Sequence, residues 1–483
     1  MRDPVEPHMS MSKSVSKSAS MSVSAIDTIS GRGSIYEVGG AVRDRLLELS
    51  GAEADIDYLV CGIPMDELIA LLRKTGRVDV VGKSFGVIKY TEFSKDANGN
   101  KTSQTFDIAL PRREVSTGAG HKDFTVDFDP SIPIEVDLRR RDFTINAMAE
   151  SLPDRMLIDP YSGRDDLEAR ILRIVAPDSF VEDPLRMLRG VQFAARFNLT
   201  PEPETLRSMR ENAHLITTIS PERISEELNK LLVQAEKPSL GFHLMQETGL
   251  LEHVIPELVP AVGCDQPGPY HRWDVFEHTL HVIDAAPQRL RLRLACLFHD
   301  IEKPAAKRVI PLEERDGPDA KGATFYGHDD FGAKTAKKIM KRLRYSNELI
   351  EQVALLVGKH MFTTAVTPKG LRRLVRKVGV DLIYDLLDLR RADVTGQGMG
   401  GSTDDVDEFE RDIREELERK PPFSRGDLAI NGHDIMREFN LEPGPLLGRT
   451  IDHLMDRVLD NPDDNTPDCL RGFVREFLSE SGE

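Results

Sequence analysis

The rhythm of apolar and polar positions changes near residue 150. Between residues 35 and 150, short β-prone runs at 35–38, 57–61, 87–93 and 105–110 are interleaved with helical stretches. Asp96-Ala97-Asn98-Gly99-Asn100 has the composition of a hairpin turn. Residues 114–135 carry Gly, Pro and Asp without a clear period and read as a functional loop. After Asp159 the strand signals nearly vanish. Helical periodicity takes over at 185–197, 203–214 and 221–234 and recurs to the end, with Ser220 and Pro221 as N-cap and first-turn proline. No internal repeat is visible. The pattern predicts an α/β head followed by a long all-helical remainder.

Composition narrows this picture. A chain of 483 residues predicts two to four domains. No apolar run approaches the ~20 residues of a membrane span. Residues 1–30 are rich in Ser and Met, lack an apolar core of the signal-peptide kind, and read as a disordered tail. Four scattered cysteines, Cys61, Cys264, Cys296 and Cys469, fit reduced thiols in a cytoplasm and speak against a zinc–cysteine site. The net charge of −17 argues against indiscriminate nucleic-acid binding. Basic runs at 334–344 and 369–377 suit either a defined track for one nucleic acid or solvated helix faces.

The chemistry concentrates first at Asp55 and Asp57. On a strand, residues two apart share a face with Cα atoms roughly 6.5–7 Å apart. Two such carboxylates repel unless cations neutralise them, and an all-oxygen donor set suits Mg²⁺ with phosphate and water completing the octahedron. A D-x-D pair alone is usually a solvated turn. Here Gly39-Gly40-Ala41-Val42-Arg43-Asp44 precedes it, and a diglycine lets backbone N–H groups approach a triphosphate. Together they point to phosphoryl or nucleotidyl transfer by two metal ions. Further on, Arg139-Arg140-Arg141-Asp142-Phe143-Thr144-Ile145-Asn146-Ala147 gathers phosphate-clamping cations with ribose-binding polar groups. Glu182-Asp183-Pro184-Leu185-Arg186-Met187-Leu188-Arg189 opens a helix. Asp183 and Arg186 there either form an ordinary i,i+3 ion pair or present a base-pairing edge.

These motifs, with Asp159…Gly163…Asp166-Leu167 and Ile219-Ser220-Pro221-Glu222-Arg223, stand in the order seen in class II tRNA nucleotidyltransferases. The chain resembles the superfamily of bacterial CCA-adding enzymes and poly(A) polymerases, strongly across residues 35–235 and again from Leu428 to Pro445. The resemblance implies Mg²⁺ held by Asp55 and Asp57, with Asp107 as a third catalytic carboxylate and Gly39, Gly40 and Arg43 around the triphosphate. It implies Arg141, Asp142 and Asn146 at the sugar, and Asp183 and Arg186, with Arg189, reading CTP and then ATP. Residues 159–167 resemble a hinge, and 114–135 matches the region that helps the family switch from C to A.

A second set is spaced along the helical half: His278, His299-Asp300 and Asp393, in helix-like segments at 276–283, 290–299 and 382–393. Imidazoles and carboxylates on packed helices suit a divalent transition metal with positions open to water and phosphate. The set resembles the HD-superfamily phosphohydrolase signature, with His328 and His360 where that family carries further histidines. The resemblance implies a second divalent ion, Ni²⁺, Mn²⁺ or Mg²⁺. Glu302 stands where the family has a small residue, which makes hydrolysis less secure than metal binding.

The expected fold is α+β, a polymerase β-like nucleotidyltransferase head followed by an all-α neck, an HD-type helical domain and a helical tail. The divisions expected are 1–30 tail, 31–150 head, 151–265 neck, 266–395 HD domain and 396–483 tail. The expected function is template-independent addition or repair of the tRNA 3′-terminal CCA from CTP and ATP, with tRNA as partner and no membrane. The alternatives are a poly(A) polymerase, a partial CC- or A-adding enzyme, an HD phosphohydrolase whose head merely binds nucleotides, or a non-catalytic tRNA-binding protein.

Overall fold

The computed structural model describes residues 21–49, 56–80, 86–95, 100–116, 124–267, 271–314, 322–419 and 422–480. Asp55, residues 96–99 of the expected hairpin turn at 96–100, and residues 1–20 lie outside them. The chain divides into two compact units, Met1–Ile219 with Glu247–Leu250, and Ser220–Gln246 with Leu251–Glu483.

The first unit is built on a mixed sheet. Its strands are β1 (Ser34–Val38), β2 (Asp57–Cys61), β3 (Arg77–Val80), β4 (Val87–Lys95) and β5 (Lys101–Ala109). The separate hairpin pair β6 (Arg112–Ser116) and β7 (Phe124–Phe128) follows, then β8 (Ala149–Leu152) and β9 (Leu157–Ile158). The seven-stranded order is β3-β4-β5-β2-β1-β8-β9, antiparallel throughout except for the parallel pair β2–β5. Alternation sorts the side chains of β2. Tyr58 and Val60 enter a core with Ile35, Ile88, Phe106 and Ile108, against α1 (Val23–Ser30) and α3 (Met65–Leu72). Leu59 faces the other way, packing with Val38, Ala147, Ala149 and α4 (Ile134–Arg139). Asp57, by parity, belongs to the Leu59 face, and Asp107 to that of Ala109.

Two expectations are corrected here. Residues 23–30, assigned to a disordered tail, form helix α1, capped by Ser22, with Ala25, Ile26 and Ile29 buried. The polar composition hid three apolar positions on one helical face. Within 114–135, read as a loop, β6 pairs with β7 in the register Arg112↔Phe128 to Ser116↔Phe124, and α4 begins at Ile134. The helices α7 (Leu185–Phe197) and Pro221–Gln234 occupy the expected ranges; Ser220 sits at the N-cap without a side-chain cap bond.

The second unit is helical. Helices Val275–Ala285, Leu290–Phe298, His328–Arg342, Asn347–Val357 and Val380–Gly396 bury apolar faces including Leu280, Leu292, Ile339, Val353 and Leu386. Gly396 permits close approach, since a Cβ there would lie 2.5 Å from Val282 Cγ2 and 2.8 Å from its backbone nitrogen. A further core joins Ile435, Leu454, Val458, Leu470 and Val474 near the end of the chain.

Candidate active site

Adjacent parallel strands bring the first carboxylates together. Asp57 on β2 is the register partner of Asp107 on β5. Both are solvent-accessible, and Lys89 of β4 reaches Asp107 Oδ1 at 3.2 Å. Burial pulls the Arg141 guanidinium below its ordinary value, opposed by the charges of Asp137, 3.5 Å away, and of Asp57. Asp57 is also the register partner of Val38, the residue before Gly39. Gly39 makes the approach possible: at φ +74 it turns the chain from β1 into α2 (Gly40–Leu46), and a Cβ would stand 2.6 Å from Arg141 Nη1.

Behind these groups, one buried polar chain ties the three sequence motifs together. Arg43 donates to Asp44 Oδ1 (2.8 Å from Nε, 2.6 Å from Nη2) and to Asn146 Oδ1 (2.5 Å). Asn146 Nδ2 donates to Asp142 Oδ1 at 3.0 Å, which fixes the amide's orientation. Asp142 also accepts from the Phe143 N–H at 2.8 Å and from Arg189 Nε at 2.7 Å. Burial alone would raise the Asp142 carboxyl; Arg189, Asn146 and the Phe143 N–H hold it below its ordinary value. The Arg43 guanidinium lies 5.2 and 4.4 Å from the ring centroids of Phe193 and Phe197 on α7. Thus Gly39, Gly40, Arg43, Arg141, Asp142, Asn146 and Arg189 converge in one region. Arg43 is an internal strut, 4% exposed.

Arg186 is also engaged. It donates to Ser179 (carbonyl 3.2 Å, hydroxyl 3.0 Å), Glu182 (3.0 Å) and the Arg140 carbonyl (2.8 Å). Asp183 accepts from the Leu185 N–H at 3.1 Å, capping α7. In the hinge-like segment, Asp159 accepts from the Gly163 and Arg164 N–H groups, and Asp166 accepts from Thr144 and Arg173.

In the second unit, helix ends assemble the other set as two triads. The ligand atoms of His278, His299 and Asp393 lie within 4.8 Å of one another, as do those of Asp300, His328 and His360. Asp300 links the two: Oδ2 is 3.1 Å from His299 Nε2 and 3.4 Å from His278 Nε2, while Oδ1 is 3.4 Å from His328 Nε2. All six are buried. The Nδ1 atoms of His299, His328 and His360 lie 2.7, 2.6 and 2.7 Å from the carbonyls of Cys296, Phe325 and Val357. A carbonyl only accepts, so each Nδ1 carries the hydrogen and each Nε2 lone pair turns inward, as metal ligation requires. Burial would lower His278, but Asp300 and Asp393 raise it to about 9, and burial with His299 drops His360 to about 4. Glu302 belongs to neither triad; its carboxylate accepts from Thr335. All six side chains of the two clusters stand out in the sequence; their division in two does not, nor does Lys303, whose Nζ is 2.7 Å from Asp300 Oδ2. In the basic runs, Lys369 and Arg373 reach Asp460, Arg376 reaches Asp456, and Arg342 reaches Glu257, in partly exposed ion pairs.

A mixed sheet with register-matched carboxylates, a diglycine turn and an arginine beside them defines a nucleotidyltransferase head, here followed by a helical unit. Known proteins agree. Residues 35–173 match the Poly A polymerase head domain, 198–262 the probable RNA and SrmB-binding site of polymerase A, and 328–474 the tRNA nucleotidyltransferase domain 2 model. The Multifunctional CCA protein of Pseudomonas fluorescens (strain SBW25) is 37% identical over 335 residues, 68% of this chain and 74% of the relative. That of Aromatoleum aromaticum is 37% identical over 338 residues, with the same coverage. The Bacillus stearothermophilus CCA-adding enzyme in complex with CTP shares the fold at a TM-score of 0.69, with 20% identity over 95% of this chain and 97% of that one. The chain belongs to the family of multifunctional CCA proteins.

Proposed function

We propose that this protein adds and repairs the 3′-terminal CCA of tRNA, using CTP and ATP without a nucleic-acid template. The observation that carries the reading is the Asp57–Asp107 register beside Gly39 and Arg141. Exposed carboxylate oxygens fit a hard divalent ion, Mg²⁺ in this reading, with Asp55 as a further ligand. Such ions supply Lewis-acid activation of the attacking hydroxyl and charge neutralisation of the leaving pyrophosphate. The chain's own groups do the rest. Arg141 neutralises phosphate, and Asp142 and Asn146, fixed by Arg43 and Arg189, offer hydrogen bonds to the ribose. Asp183 and Arg186 supply the base edge, so Arg186→Ala should lose both rate and discrimination against UTP and GTP. The reading retains functional divisions at 31–150, now joined by α1, and at 151–265, 266–395 and 396–483, and a cytoplasmic location. Among the described residues no helix is long and apolar enough to cross a membrane.

The deciding assay offers tRNA transcripts ending before CCA, before the final A, and complete, each with CTP alone, ATP alone and the two together. CMP twice and then AMP on the first, AMP alone on the second, and nothing on the third is the expected pattern. Repeated AMP addition to all three would indicate a poly(A) polymerase, and arrest after CC or failure on the first transcript a partial enzyme.

A second reading is favoured by the Asp300-bridged triads: a metal-dependent phosphohydrolase that clears a 2′,3′-cyclic phosphate or 2′-phosphate from a damaged tRNA end. In ring opening, a water oxygen bonds to phosphorus, one phosphorus–oxygen bond to the ribose breaks, and that oxygen takes the proton. Four imidazoles and two carboxylates fit Ni²⁺ or Mn²⁺ better than Mg²⁺, and all three ions are tried. Release of monoester from a cyclic-phosphate end in the presence of these ions tests it; no cleavage with any of them would overturn it.

A further inference from the structure

The cavity beside the Asp300-bridged triads holds more than those ligands. Its volume of about 500 Å³ lies within the roughly 300–1,000 Å³ of small-molecule pockets and far exceeds what a phosphate alone fills. Its walls combine Asp300 and His328 with two cations, Lys303 and Arg390, and with Tyr326 and Met361. Arg390 Nη1 stands 3.4 Å from Asp393 Oδ2, and Lys303 is held by Asp300 and by Gln266 Oε1 at 2.8 Å. Both cations therefore border the metal-type ligands, where a substrate phosphate would sit. Tyr326 is different. It is 84% exposed although it lines the cavity, and Met361 is 56% exposed.

The chain holds Tyr326 out by local design. Thr324 is tied into a short strand pair opposite Arg308, and Phe325 turns its carbonyl to His328 Nδ1. Gly327, at φ +76, then reverses the chain into helix His328–Arg342. The residue between the histidine-orienting carbonyl and the glycine turn is thereby presented at the rim, with its position set by the same segment that sets a ligand.

We propose that Tyr326 is a specificity-determining residue of this site, the platform on which the base of a nucleoside phosphate stacks while its phosphate meets Lys303, Arg390 and the two triads. The proposal rests on the phosphohydrolase reading and adds a selection by base. A platform of this kind tolerates any base, because each has a π face, and discriminates against phosphodiesters that carry none.

The test uses the full chain with Mn²⁺ and compares 2′,3′-cyclic AMP with glycerol 1,2-cyclic phosphate, a strained diester without a base. Tyr326→Ala should raise KM for the nucleotide about 5- to 150-fold, the equivalent of about 1–3 kcal/mol of base stacking, with kcat nearly unchanged. Glycerol cyclic phosphate should be indifferent to the change, and Tyr326→Phe should behave as wild type. Equal effects on both substrates, or none, would overturn the proposal. Binding gives an independent readout. Isothermal titration calorimetry measures it on wild type and variant alike. A titration with 2′-AMP should weaken in Tyr326→Ala by the same factor. Wild-type protein that binds 2′-AMP through Tyr326 but cleaves neither diester would refute the hydrolase reading and support the platform. No binding of 2′-AMP by the wild type would refute the platform, while cleavage alone decides the hydrolase reading.

Discussion

Replacing Arg43 by alanine separates a phosphate ligand from a structural strut. The guanidinium makes three hydrogen bonds, to Asp44 and Asn146, and lies against Phe193 and Phe197. Truncation leaves Asn146 Oδ1 without its donor and Asp44, 13% exposed at its side chain, without its counter-charge. A hydrogen bond to a charged group contributes about 1.5–3 kcal/mol and a desolvated cation–π contact about 2 kcal/mol. Asp44 recovers part of its loss by hydration, so the net cost should be about 3–5 kcal/mol, the range for removing one partner of a buried pair. At roughly 2–4 °C per kcal/mol for a unit of this size, the melting transition of the first unit should fall by about 6–20 °C. Differential scanning calorimetry of wild type, Arg43→Ala and Arg43→Lys reads this directly; lysine cannot reproduce the fork and should recover only part. CTP incorporation, measured below the lowered transition, should lose kcat through a displaced Asn146. An unshifted transition with a rise confined to KM for CTP would put the guanidinium on the triphosphate and refute the strut.

Gly39→Ala should displace Arg141, since the new Cβ would stand 2.6 Å from its Nη1 at a backbone φ of +74; nucleotide incorporation should fall at least tenfold, and wild-type rates would contradict the close approach. Asp142, held below its ordinary value by Arg189, Asn146 and the Phe143 N–H against burial, stabilises the fold fully above the unfolded value near 3.9 and loses that contribution as pH falls through its lowered folded value. The difference in melting temperature between wild type and Asp142→Asn should therefore be constant from about pH 8 to 5 and shrink below about pH 4; a constant gap down to about pH 2 would contradict this. Asp300→Ala removes one side chain from one triad and the bridge between both, so Ni²⁺ stoichiometry measured by mass spectrometry, with excess Mg²⁺ on the head carboxylates, should drop from about two ions per chain to one or none, with CCA addition intact. Two ions in the variant would separate Asp300 from the metal site.

Much of this was legible because its signals are local. The strand Asp57–Cys61 and the helices Leu185–Phe197 and Pro221–Gln234 follow from alternation and periodicity within a dozen residues. Phe124-Thr125-Val126-Asp127-Phe128 carried the same alternation, but Gly and Asp on either side masked it. What sequence could not give were long-range partners. The register of Asp57 with Asp107 spans a parallel crossover, and the burial of Arg43 depends on Asn146, Phe193 and Phe197, more than a hundred residues away. The basic run at 369–377 suited either a nucleic-acid track or a solvated helix face, and neither reading contained the burial of Arg372 on the Leu459 and Asp460 carbonyls and Glu416. Charge in a sequence does not say which countercharge the fold will bring to it.

The central claim is that the carboxylates of the first unit perform CCA addition. Its most direct test follows the 3′ end of a tRNA transcript lacking CCA by mass spectrometry, with CTP, ATP and Mg²⁺, for wild type, Asp57→Ala and Asp107→Ala. Wild type should convert the end to CCA, and Asp57→Ala should abolish both CMP and AMP addition while tRNA affinity and the melting transition hold. Full CCA synthesis by Asp57→Ala, or a wild type that adds nothing, would contradict the account.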